Sequence, residues 1–230
     1  MSLHSMFQDI TDLHRGVRHP VRNLRPVSEP LNRALADLDR IAAKRAGKSI
    51  IQNLADLDGW VAPEEGTERY RMLEAALASR GMPWRFLGGD GGHDAWSLLQ
   101  ACTAVATQRD PMEVTRDGMI VTEQSARMAF TQWGLTEVRI RHAEPGDVLL
   151  FDMDGGVSAA VMSSPGGEMS WAMLPGHKLP EAKLIGAMKA RGTCESWAGP
   201  FWMDKLTAAF SFDGPKGPAN LAGLDLAVAA

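Results

Sequence analysis

The stretch GGDGGHDAWSLLQAC, residues 88–102, decides how the chain is read. A glycine-rich turn leads to Asp94, an N-cap residue type, and then to a run whose apolar side chains recur at helical spacing. "DAWSLLQACTAVATQ" is expected to form a helix buried by Leu98, Leu99, Cys102, Val105 and Ala106. An acid just ahead of a buried helix is a setting for a nucleophile, because free backbone N–H groups and the helix dipole stabilise an anion there. The first residue of that helix is Ala95. "GGDGG" lacks the Lys-Ser/Thr that follows the glycines of a P-loop, so it reads as a turn and not as a phosphate cradle.

Working outward, the pattern is helical on the N-terminal side. Leu31, Leu35, Leu38, Ile41 and Ala42 recur at three- and four-residue steps after Ser28, predicting an amphipathic helix that ends at Gly47. "DGW" at 58–60 reads as a turn. Thr67 caps a second expected helix with Tyr70, Leu73 and Leu77 on one face, stopped by Gly81. After residue 107 Thr122 caps another, through Ala126, Ala129, Phe130 and Trp133, stopped by Gly134. The period then falls to two. "TEVRIRH" (136–142) alternates Val138 and Ile140 against Arg139 and Arg141, as a half-buried strand does. "VLLFDMD", "GVSAAVMSS", "EMSWAML" and "KLTAAFSFD" read as further strands, with Cys194 of "GTCESW" near or on a late one. Helices followed by consecutive strands predict an α+β fold with an antiparallel sheet.

Composition sets the bounds. The chain has 230 residues, 45% of them apolar, enough for a packed core. A net charge of −4 gives no general reason to expect nucleic acid or an anionic membrane as partner. The charge is uneven, however. Arg15, Arg18, Arg22, Arg25 and Arg33 crowd the first segment, either as a basic arm for an acidic partner or as a solvated terminus. No secretory signal pattern and no run of about 20 apolar residues is present, so a cytoplasmic origin and no membrane span are expected. Two cysteines make no disulfide framework, and no His, Cys or carboxylate set has metal-ligand spacing, so neither metal nor cofactor is expected.

The order of elements, with "PGDVLLF" (145–151) and the aromatic "ESWAGPFWMDKLTAAFSF" (195–212), resembles the NlpC/P60 cell-wall peptidases, a papain-like family, and most of all its phage-type branch. The resemblance covers residues 82–213. It implies a helix packed on an antiparallel sheet over 81–213; the basic arm and helical extension over 1–80 and the tail over 214–230, expected to be loosely ordered from its small, weakly patterned residues, lie outside it. It also implies a cysteine after Asp94 and a histidine on the facing strand. Carried over by position, Ala95 stands at the nucleophile, Ser158 at the histidine and Trp171 at a further family histidine. A methyl group cannot attack a carbonyl, and serine is no base near neutral pH.

Two readings follow. In one the chain is a non-catalytic relative that binds or assembles, its extension docking on a protein partner and its cleft, lined by Asp94, Trp96 and Trp84, facing that partner or peptidoglycan peptides. Such a protein would belong in a phage-tail-type particle. In the other it is an active peptidoglycan endopeptidase or amidase. Its site is then either displaced, using Ser97 or Cys102 with His93 or His177, or altered by an engineered cysteine-to-alanine change at Ala95, which would not also account for the missing histidine. Trp96 and Trp171 are then either core residues or plugs in the old cleft; Trp202 is expected in the core.

Overall fold

A computed structural model of the protein describes residues 29–89, 91–165, 182–189 and 191–214. The basic arm, the strand expected over 168–174, Trp171, His177 and the tail after Gly214 lie outside the described residues.

The fold is α+β: a six-stranded antiparallel sheet with most of its helices packed on one face and a short one on the other. The helices are α1 (Glu29–Ala46), α2 (Ile50–Asp58), α3 (Glu68–Ala78), α4 (Ala95–Thr107), α5 (Glu123–Gln132) and the short α6 (Pro200–Lys205). The strands are β1 (Thr136–Val138), β2 (Val148–Met153), β3 (Gly156–Ser164), β4 (Lys183–Met188), β5 (Gly192–Trp197) and β6 (Leu206–Ser211), in the order β1-β6-β2-β3-β4-β5. The expected caps form. The Thr67 hydroxyl accepts from the Tyr70 N–H and that of Thr122 from the Ser125 N–H, each satisfying a donor that has no partner inside its helix.

Alternation along the strands sorts the sheet into two faces. Val148, Leu150, Val157, Ala159, Val161 and Ile185 join the helix-side core, where they meet Leu98, Leu99 and Cys102 of α4 and Phe130 of α5. Leu149, Phe151, Ala160, Met162 and Leu184 pack on the opposite face with Met203 and Trp202 of α6. Ile51 and Leu54 of α2 and Leu73 and Leu77 of α3 share the helix-side core, so the segment read as an extension supplies part of the same interior. "PGD" shows how closely it fits. Gly146 has φ +97°, and a Cβ there would lie 2.5 Å from the carbonyl oxygen of Arg69 in α3. The Asp147 carboxylate accepts from the Glu144 N–H and closes the turn into β2.

Several expectations change. "TEVRIRH" keeps its burial alternation but pairs only over Thr136–Val138; Ile140–His142 is a 3₁₀ turn. Val105 is exposed at 51%, outside the buried face of α4. Helix α2, strand β4 and helix α6 are additions to the sequence reading.

Burial in α1 runs against its apolar stripe. Its buried face is Asn32, Ala36, Asp39 and Ala43, while Leu38 and Ile41 stand 45% and 48% exposed and Leu31 and Leu35 are only half-buried. Specific polar contacts outweigh the hydrophobic stripe. The Asn32 side-chain amide donates to the carbonyl of Arg191, and Arg80 Nη1 lies 2.7 Å from Asp39 and 3.4 Å from Glu195. Small residues let the helix come close: a Cβ on Gly81 would lie 2.7 Å from the Arg33 Cα.

Candidate functional site

The site the sequence singles out is the N-terminal end of α4. The glycine turn is closed by two backbone hydrogen bonds, Arg85 N–H to His93 O and His93 N–H to Pro83 O, both 3.0 Å. This brings Asp94 to the helix start, where it is 5% exposed. One carboxylate oxygen, Oδ1, accepts from the backbone N–H of Trp96 at 3.1 Å and of Ser97 at 2.8 Å. The other, Oδ2, accepts from the Leu87 N–H at 3.0 Å and from Arg116 Nη1 at 2.9 Å. The Ser97 hydroxyl completes a capping box, accepting from the Asp94 N–H at 2.9 Å and donating to the Asp94 carbonyl at 3.3 Å.

The electrostatic consequence is direct. An anion at a helix N-terminus is stabilised by donors left without intrahelical partners. Here the carboxylate of Asp94 takes two of them and a guanidinium neutralises it. Burial pushes the Asp94 carboxyl up, but Arg116 and the Ser97 and Leu87 N–H groups outweigh this and hold it below the usual carboxylate range. Arg116 is itself seated over the Phe86 ring, 5.4 Å from its centroid. Leu87 sits at φ +59°, a conformation unfavourable for a residue with a Cβ, and its N–H is held by Asp94.

The sequence-derived candidates fall as follows. Ala95 is the first residue of α4 and half-buried. Ser158 does not face it. Ser158 shares the far side of the sheet with Ala160 and Trp202, while Val157 and Ala159 point toward the helices, so the whole sheet separates Ser158 from α4. Ser97 spends its hydroxyl on Asp94. Cys102 is 1% exposed, and burial pushes its thiol up to about 12, which removes it as a thiolate nucleophile. His93 is half-buried; burial lowers its pKa and the charge of Asp94 partly offsets this. Its Nδ1 has no hydrogen-bond partner among the described residues, so it is not coupled to the Ser97 hydroxyl.

The cleft residues are corrected in the same way. Trp96 is 6% exposed with its ring 6.0 Å from Phe130, which in turn lies 4.8 Å from Phe210; it is a core residue and lines no cleft. Trp84 is half-buried, with Lys189 Nζ 5.8 Å from its ring centroid. Two small hollows among the described residues, of about 10 and 20 Å³, have room for about one water each, and neither is lined by Ala95. No group of three His, Cys, Asp or Glu side chains among the described residues could hold a metal ion. No described helix is long and apolar enough to cross a membrane.

Arg116 is the site residue that sequence reasoning missed. It lies 22 residues after Asp94 in an irregular segment, where neither periodicity nor a local motif marks its partner. No protein-family model and no curated protein matches the chain.

Proposed function

We propose that the chain is a non-catalytic papain-like protein of NlpC/P60 type that works by binding, as an assembly module of a phage-tail-type particle made in the cytoplasm. One observation carries this reading. Where the family resemblance asks for a cysteine after Asp94, Ala95 offers a methyl group, while Asp94 itself caps the helix and pairs with Arg116. On the helix side β3 presents Val157, Ala159 and Val161, so this strand supplies no imidazole. A cysteine restored at residue 95 would still lack a base on that strand.

The test is incubation with peptidoglycan fragments and chromatography of the products. The expected result is an unchanged muropeptide profile. Released stem peptide would overturn the reading.

A further inference from the structure

The exposed stripe on α1 carries an inference of its own. At about 100° per residue the helix divides into three bands. One, Asn32, Ala36, Asp39 and Ala43, is buried against the body. The next, centred on Leu38 and bounded by Leu35 and Ile41, is apolar as far as Ala42, spans about 120° of the helix surface and carries Arg45 in the last turn. The third carries Arg33, Arg40 and Lys44 with one acid, Asp37, which pairs with Arg40, and all four are exposed.

We infer that this face of α1 docks an acidic amphipathic helix of a partner protein. The inference rests on the binding-module reading above and names its partner chemistry. The helix holds to its own body by polar and small residues, which leaves its leucines and Ile41 to an outside surface. Their three- and four-residue recurrence is what one crossing helix matches. Charge complementarity selects the occupant. A partner seated on the apolar band lies against the basic band, so carboxylates along one of its edges meet Arg33, Arg40 and Lys44. A second copy of α1 brings the same basic edge and is repelled. The apolar band carries no aromatic residue of the kind that anchors helices at a lipid interface.

The experiment uses the full chain and a labelled helical peptide with leucines on one face and glutamates beside them, read by fluorescence anisotropy. A lysine-for-glutamate version is the control. The acidic peptide is expected to bind, and the Leu38→Glu/Ile41→Glu variant to weaken it about tenfold or more. Lys44→Glu should weaken it and raised salt should release it, while the lysine peptide should not bind. Leu38→Gln, which adds no charge, should also weaken it, and all variants should melt with the wild-type transition because the sites are exposed. Absence of binding, or equal binding by Leu38→Glu/Ile41→Glu, would overturn the inference. So would a dimer that Leu38→Glu dissociates, or peptide-independent binding to phosphatidylglycerol vesicles that the same variant abolishes. Muropeptide turnover would bring down the binding-module reading, whereas no peptide binding without turnover brings down only the docking face.

Discussion

Helices α1 and α4 treat the same ingredients in opposite ways. Helix α4 buries Leu98, Leu99 and Cys102 and turns its charge inward only at the cap, where Asp94 and Arg116 pair. Helix α1 buries Asn32 and Asp39 and leaves Leu38 and Ile41 in solvent. Hydrophobic burial is non-directional, so it fixes that α4 lies on the sheet without selecting a unique partner for each side chain. Polar burial is directional and unforgiving, because a buried charge without its partner is costly. The difference teaches that α4 is a structural strut whose N-terminal end is closed by Asp94 and Arg116, and that α1 is clipped to the body at a few defined points and presents its apolar side outward.

The comparison can be broken from either end. The largest effects belong to the interior. Phe130→Ala, beneath Trp96 and Phe210, should cost about 3–5 kcal/mol in urea unfolding. Arg80→Ala, which leaves Asp39 facing Glu195 under α1, should cost a similar amount, about 3–5 kcal/mol. If α1 were held by its leucines, Arg80→Ala would be mild and Leu38→Ala severe. Asp94→Ala removes a cap and strands a buried guanidinium, so about 2–3 kcal/mol is expected in the same measurement. At the small end, Leu38→Ala should stay within about 0.5 kcal/mol of wild type.

Acid sharpens the picture of the sealed end. Asp94 is held below its usual range, so its contribution is complete above its unfolded value of about 3.9 and is lost as pH falls through the lower folded value. His93 is also depressed, so the fold favours neutral imidazole. Its contribution is complete above about pH 6.5 and is lost as pH falls through its own lower folded value. Unfolding free energy against pH should therefore decline in two stages on acidification. His93→Gln should flatten the upper stage and Asp94→Asn the lower. A third check is chemical: native Cys102 should resist iodoacetamide at neutral pH and react once urea exposes it.

Much of the fold was legible because its signals are local. Thr67, Asp94 and Thr122 announce helix starts through their own side-chain oxygens, and the strands over 148–153, 156–164 and 206–211 announce themselves through apolar runs. Helix α2 was missed: "IIQNLADLD" is short, and its cap, Ser49, follows the preceding helix almost at once. Ser158 was assigned to the wrong face because side chains alternate along a strand, so a shift of one residue carries a side chain through the sheet. The helix carrying the stripe on α1 was legible, but periodicity marks an apolar face and cannot say whether the same chain covers it. Asp39–Arg80 and Asp94–Arg116 join residues far apart in sequence, and no local pattern encodes them.

The most direct test of the sealed helix end is to assay the wild-type protein and Ala95→Cys side by side on peptidoglycan fragments, following stem-peptide release. The account expects no product from either, because the strand opposite residue 95 supplies no imidazole. Product from the wild type, or from the cysteine variant alone, would contradict it.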